Sequence, residues 1–183
     1  MPRYLALLRA VNVGGHAPVR MADLRAVVER WGFRDVSTLL QSGNLVFEAD
    51  DRSETSVERT LATGLESAFH QRIELYIRSA HAWRRLIAEN PFPREATEDP
   101  AHLLALVLSG TPGKEAWTRL GQAIHGRERY APGDRAAYLV YPDGIGRSKL
   151  TPAVLEHALG LRGTGRNWNT VQKLAQLLTD GSA

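Results

Sequence analysis

Two stretches of the chain, Tyr4-Leu5-Ala6-Leu7-Leu8 and Leu103-Leu104-Ala105-Leu106-Val107, each carry five largely apolar residues in a row with no alternation. Successive side chains of a strand point to opposite faces, so such a strand is satisfied only when both faces are covered. One apolar strand of this kind sets up one sheet with cover on each side. Two of them, far apart in the sequence, set up two sheets, and the rest of the chain must supply the cover.

The elements between them fit that demand. After Tyr4 to Val11 come a Gly14-Gly15 loop, a helix over about Met21 to Trp31 stopped by Gly32, and strands over Val36 to Leu40 and Leu45 to Glu48 joined at Gln41-Ser42-Gly43-Asn44. Ser53 is placed to cap a helix running through Val57, Leu61, Leu65 and Phe69. A strand over Ile73 to Ile77 follows, then a helix capped by Ser79 and ended by Asn90-Pro91. The run Arg94 to Pro100 reads as a linker. Past it the order repeats: strand from His102, helix from about Lys114, a hairpin about Pro132-Gly133-Asp134, a helix opened by Thr151-Pro152, a strand near Gly163 to Asn167, and a last helix from Asn169 with Asn169 and Gln172 as a capping box.

The order βαββαβ plus a trailing helix therefore occurs twice. The expected fold is α+β, a tandem duplication of a ferredoxin-like unit, with one copy in residues 1–93 and the other in residues 101–183. Tyr4 to Leu8 is matched with Leu103 to Val107, Gly43 to Phe47 with Arg135 to Leu139, and Trp83 with Trp168. Leu5, Leu7, Leu104 and Leu106 are expected to be buried.

Composition narrows the chemistry. With no cysteine among 183 residues, disulfides, thiolate metal sites and cysteine nucleophiles are excluded. The six histidines show no metal-ligand spacing, and neither a G-x-S-x-G elbow nor a Walker-type loop is present. No metal and no cofactor is expected. The first apolar run is too short for a signal peptide, and no later run is long enough to span a membrane. The expected setting is cytoplasmic, with no membrane partner. Nothing in the sequence sets the oligomeric state.

Polar residues gather in two runs that exceed what chain reversal needs. Tyr141 to Thr151 contains Gly144, Gly146, Arg147, Ser148 and Lys149, and Thr164 to Thr170 contains Arg166 and Asn167. Glycines let backbone N–H groups approach an anion, and a helix start adds the positive end of its dipole. In a ferredoxin-like unit the third and fourth strands leave the sheet at one end, which puts both runs on one edge of the second copy. In the first copy the loop carrying Arg9, Asn12 and Gly14 shares an end with the turn carrying Gln41 and Ser42. Capping explains Asn169, and a helix start explains Thr151 and Pro152. It leaves Arg147, Ser148, Lys149, Arg166 and Asn167 unexplained, and Asp143 reads as a turn residue.

Five motifs carry a family resemblance. They are Leu7 to Gly15, Gln41 to Phe47, Asn90-Pro91-Phe92, Tyr141 to Leu150 and Thr164 to Thr170. Together they resemble the bacterial family catalogued as domain of unknown function 1697, with Ala10 where many members have glycine. The resemblance implies a cytoplasmic bacterial protein and assigns no activity.

From the residues, the expected function is binding of a phosphate- or carboxylate-bearing small molecule by Arg9, Asn12, Gly14, Gln41, Ser42, Gly144, Gly146, Arg147, Ser148, Lys149, Arg166 and Asn167. The alternative is a nucleic-acid binder built from tandem ferredoxin-like units. It requires an open sheet face with rings on it, for which the first copy offers Tyr4 and Phe47.

Overall fold

The computed structural model describes residues 1–9, 18–39, 43–50 and 53–180. The fold is α+β, with two four-stranded antiparallel sheets and seven α-helices among the described residues. The chain divides into two compact units, Met1–Arg84 with Lys173–Ala183, and Arg85–Gln172.

The first unit runs β1 (Arg3–Leu8), α1 (Met21–Arg30), β2 (Arg34–Leu39), β3 (Asn44–Glu48), α2 (Glu54–Phe69) and β4 (Leu75–Ser79), and α3 (Ala80–Ala88) follows β4 directly. Its sheet has the order β2-β3-β1-β4, so the apolar strand β1 is central. One face of the sheet, formed by Tyr4, Ala6, Leu8, Leu45, Phe47, Leu75 and Ile77, joins a core with Leu24, Val27 and Val28 of α1 and Val57, Leu61 and Leu65 of α2. Leu5, Leu7, Val46 and Tyr76 of the other face are buried as well. Each buried leucine contributes about 1.5–3 kcal/mol, against about 0–1 kcal/mol for an exposed ion pair. The two-sided burial of β1 therefore outweighs the surface charge pairs in holding this unit.

The second unit repeats the order after α4 (Pro93–Glu98): β5 (Leu103–Leu108), α5 (Lys114–Ala123), β6 (Arg129–Gly133), β7 (Ala136–Val140), α6 (Pro152–Leu159) and β8 (Gly163–Asn167), followed by α7 (Trp168–Asp180). The sheet order is β6-β7-β5-β8, the same as in the first unit position for position. Leu106, Leu108, Ala137 and Leu139 face Ala116, Leu120, Leu155 and Leu159 of the helices, while Leu104 is only half-buried against that core. The opposite face, with Ala105, Val107, Tyr138 and Val140, is buried too.

Backbone hydrogen bonds set the correspondence between the units. Leu8 N–H donates to the Gly43 carbonyl at 2.8 Å, and Leu108 N–H to that of Arg135 at 2.9 Å. Arg9 N–H donates to Glu74 at 2.8 Å, and Ser109 N–H to Arg162 at 2.9 Å. Leu8 thus answers to Leu108 and Tyr4 to Leu104, one residue away from the expected match of Tyr4 with Leu103. A strand apolar on both faces has no alternation to fix its register, and a one-residue slip reverses its faces. The tryptophans are not equivalent either. Ser79 Oγ accepts from Ala82 N–H at 3.2 Å and Asn167 Oδ1 from Thr170 N–H at 3.0 Å, so the two caps correspond and Trp83 answers to Val171.

Two local expectations change. The run Arg94 to Pro100 is largely the short helix α4, with Pro93 in its first turn and Arg94 bonded to Glu98 one turn on at 2.7 Å. The last helix begins at Trp168 with Asn167 as its cap, rather than at Asn169.

Gly163 sits where β8 meets β5, and a Cβ there would lie 2.6 Å from the Val107 carbonyl oxygen and 3.0 Å from Leu108 Cδ2. Backbone cannot yield as a side-chain tip does. Gly163→Ala is expected to lower stability in urea denaturation by about 1–3 kcal/mol, while Gly110→Ala, whose Cβ would meet only Leu161 at 3.6 Å, stays near wild type. Equal midpoints for the two variants would contradict this packing.

Candidate functional site

In the second unit the start of β5 lies between the exits of β7 and β8. Tyr141 N–H donates to the His102 carbonyl at 2.9 Å, and Trp168 N–H to that of Pro100 at 3.0 Å. The shared sheet end read from topology is therefore present, and it also gathers Asp99 and His102 from the β5 entry.

The loop from Tyr141 to Thr151 is fixed by its own bonds. The buried Tyr141 phenol donates to the Leu150 carbonyl at 3.1 Å, which pins the far end of the loop to its start. Burial pushes this phenol's pKa well above its ordinary value, so it remains a donor. Gly144, at φ +86°, turns the chain into a 3-10 turn over Ile145–Arg147. A Cβ on Gly144 would stand 3.7 Å from His102 Nε2. Thr151 caps α6 by accepting from Val154 N–H at 3.4 Å, as the Thr-Pro pair implies.

Charge is distributed unevenly over this end. Asp143 takes two hydrogen bonds from Arg127, one of them 3.0 Å from Nε. That pairing holds its carboxyl below the usual aspartate range, with Arg147 and His102 contributing in the same direction. The Ser148 hydroxyl donates to Glu128, holds that carboxyl low, and accepts from Leu150 N–H at 3.0 Å. His102 Nδ1 lies 2.8 Å from Asp99 Oδ2. Facing a carboxylate, Nδ1 donates, and Nε2 lies on the side of Gly144. Arg147 and Lys149 are exposed and form no ion pair among the described residues. The N–H groups of Ile145 and Gly146 likewise have no acceptor among the described residues, and a Cβ on Gly146 would meet nothing within 4 Å.

The structure thus keeps Gly144, Gly146, Arg147, Ser148 and Lys149 on one loop, with Ser148 committed to Glu128. Asn167 sits at the same sheet end, but its side chain caps α7. Arg166 points into the buried face of β8, where Nη1 donates to Thr164 Oγ1 at 2.7 Å and to the Gly165 carbonyl at 2.9 Å. Burial lowers its pKa to about 10, still cationic at neutral pH. Arg78 is its counterpart in the first unit, buried one residue before the cap, with Nη1 on the Ile77 carbonyl at 2.8 Å. A position filled by arginine in both units, each bonded back to its own strand, serves the scaffold. In the first unit Arg9 reaches Glu74 at 3.3 Å, and Glu74 also accepts from the Tyr76 phenol at 2.5 Å. Asn12, Gly14, Gln41 and Ser42 lie outside the described residues.

Sequence reasoning missed Asp99, His102, Arg127 and Glu128. None belongs to a motif. The available signal was topological, since the β5 entry must stand beside the β7 exit in this strand order.

These features define a small two-sheet α+β protein with a polar loop at one end of the second sheet. The family model described as a protein of unknown function (DUF1697) matches residues 1–138, and the chain belongs to that family. The matched span ends within β7, before the loop. No curated protein matches the chain. Among solved structures, a conserved bacterial protein from Streptococcus pneumoniae is similar in fold, with a TM-score of 0.77 and 21% identity over 97% of this chain and 99% of that one. Among the described residues, no helix is long and apolar enough to cross a membrane, and no group of histidine and acidic side chains is arranged to hold a metal ion.

The Arg127 pair makes a titration prediction. A carboxyl with a lowered folded pKa contributes its pairing above the unfolded value and loses it as pH falls through the lowered midpoint. Carboxyl-carbon NMR should place the Asp143 midpoint below the ordinary value of about 3.9, and Arg127→Ala should raise it towards that value. A midpoint indifferent to Arg127→Ala would show that the pair does not persist in solution.

Proposed function

We propose that the chain is a tandem duplication of a ferredoxin-like unit, in the order 1–93 and 101–183, and that the second copy binds a small anionic molecule at the β7–α6 loop. The duplication is supported by the identical strand order, the matched backbone bonds and the matched caps. The bacterial cytoplasm is the setting that the family resemblance implies.

One observation carries the binding reading. The acids at this sheet end, Asp99, Asp143 and Glu128, are each engaged by His102, Arg127 or Ser148, whereas Arg147 and Lys149 stand exposed beside the open backbone of Gly146. The loop therefore presents two exposed cations with no ion pair of their own and two backbone donors with no acceptor among the described residues. A phosphate or carboxylate group is the chemical complement of that set. Arg166 and Asn167 are not members of it. Nucleic-acid binding through a sheet face loses its support, because Tyr4 and Phe47 are 4% and 0% exposed and stack on each other in the core at 6.2 Å.

Thermal-shift measurements with phosphate monoesters and dicarboxylates test the reading. A ligand at one hundred times its dissociation constant stabilises the fold by about 2.7 kcal/mol. The double variant Arg147→Ala/Lys149→Ala should lose that shift while keeping the unliganded Tm, since both side chains are exposed. Gly146→Ala should also keep the unliganded Tm and weaken the ligand by crowding the backbone. If no anion moves the wild-type Tm, or if the shift survives the double variant, the loop is not the site. Salt-dependent binding of a mixed oligonucleotide pool would instead favour the nucleic-acid alternative.

A further inference from the structure

The outer edge of β4 carries an incomplete ladder. The bond from Arg9 N–H to the Glu74 carbonyl sets the parity of the β1–β4 pair. Glu74, Tyr76 and Arg78 aim their backbone groups at β1, and Leu75, Ile77 and Ser79 aim theirs outward. Two of those three outward donors are met by carboxylates of α2. Ser79 N–H donates to Glu54 at 2.7 Å, and Ile77 N–H to Glu58 at 3.3 Å. The spacing explains the match, because four helix residues rise about 6.0 Å and two strand residues about 6.6–6.8 Å. Glutamates at i and i+4 therefore step along alternate strand residues, with helix and strand running in opposite directions.

The next position on α2 is Ala62, opposite Leu75, and an alanine has no acceptor to offer. At that point the structure has a cavity of about 350 Å³, lined by Glu58, Ala62, Glu66, Arg72, Glu74 and Leu75, among others. Nothing among the described residues accepts the Leu75 N–H. The volume is within the range of small-ligand sites, about 300–1,000 Å³.

We propose that this gap binds a short, extended, positively charged peptide segment. One backbone carbonyl of the peptide takes the Leu75 N–H as the missing rung, and a basic side chain lies against the glutamates. Charge selects this occupant. Glu58 and Glu66 line the cavity against one guanidinium, Arg72, while Glu74 is already held by Arg9 and the Tyr76 phenol, so a further carboxylate arriving from outside is repelled, whereas a neutral carbonyl next to a cation is matched on both counts. Main-chain pairing to a sheet edge supplies affinity, and side chains supply the preference. The pairing is confined to one rung, since Glu58 and Glu54 already hold the next two donors.

The experiment is a ¹⁵N NMR titration with amide exchange, using the blocked peptide acetyl-Ala-Lys-Ala-Lys-Ala-amide and its glutamate counterpart. The lysine peptide should shift the Leu75 amide and slow its exchange by about tenfold, the effect of one net hydrogen bond, while Ile77 and Ser79 stay unchanged. The glutamate peptide should do neither. Ala62→Glu supplies the third carboxylate within the chain itself, so it should slow Leu75 exchange without peptide and abolish the response to peptide. Glu66 is exposed, so Glu66→Lys gives a second variant that does not load the core, and it should exchange the preference from the lysine to the glutamate peptide. A wild-type protein that ignores the lysine peptide, answers both peptides alike, or keeps its response in Ala62→Glu or its preference in Glu66→Lys overturns the proposal.

Discussion

Each unit depends on a central strand that must be hydrogen-bonded along both edges and covered on both faces at once. For β1 the two edges are taken by β3 and β4, and for β5 by β7 and β8. Once those four neighbours are in place, the strand order follows, the outer strands β2 and β6 attach through their hairpins, and every exit from the sheet is assigned to one end or the other. The polar loop of the second unit is a consequence of that assignment. Its residues meet Asp99 and His102 because β5 begins where β7 ends.

The parts of the fold legible in the sequence were those written in pattern. Apolar runs marked the central strands, turn residues marked the hairpins, and Ser53, Ser79 and Thr151 marked helix starts that the structure reproduces. Register was not legible in β5, because a strand apolar on both faces reads the same after a one-residue slip. Asn167 and Asn169 are both competent caps, and only the point at which β8 stops pairing with β5 decides between them. Arg166 belongs to the polar run expected to bind an anion, yet its strand position directs it into the buried face. The sequence distinguishes one asparagine or arginine from another only through periodicity, and β8, with two glycines in five residues, has little.

Carboxylates explain why charge content alone was a poor guide. Along α2 they satisfy backbone donors of a strand edge, and at the end of the second sheet they neutralise Arg127 and receive the Ser148 hydroxyl. An edge strand with unmet donors invites pairing with another chain, and glutamates laid along it discourage that. In this protein the acidic residues are largely committed to the scaffold, whereas some of the basic ones are not. The difference is visible only when each carboxylate is followed to its donor.

The membership of α7 bears on how the chain is made. Residues from Lys173 onward belong with Met1–Arg84, although the 88 residues of the second unit, 85–172, lie between them. On the ribosome the first unit leaves the exit tunnel well before its last segment exists. At about 5–20 residues per second, that segment follows roughly 4–18 s later. During this interval the earlier unit is incomplete however quickly its sheet has formed, and the second unit, contiguous in sequence, has no such wait. The order of completion is thus the reverse of the order of synthesis.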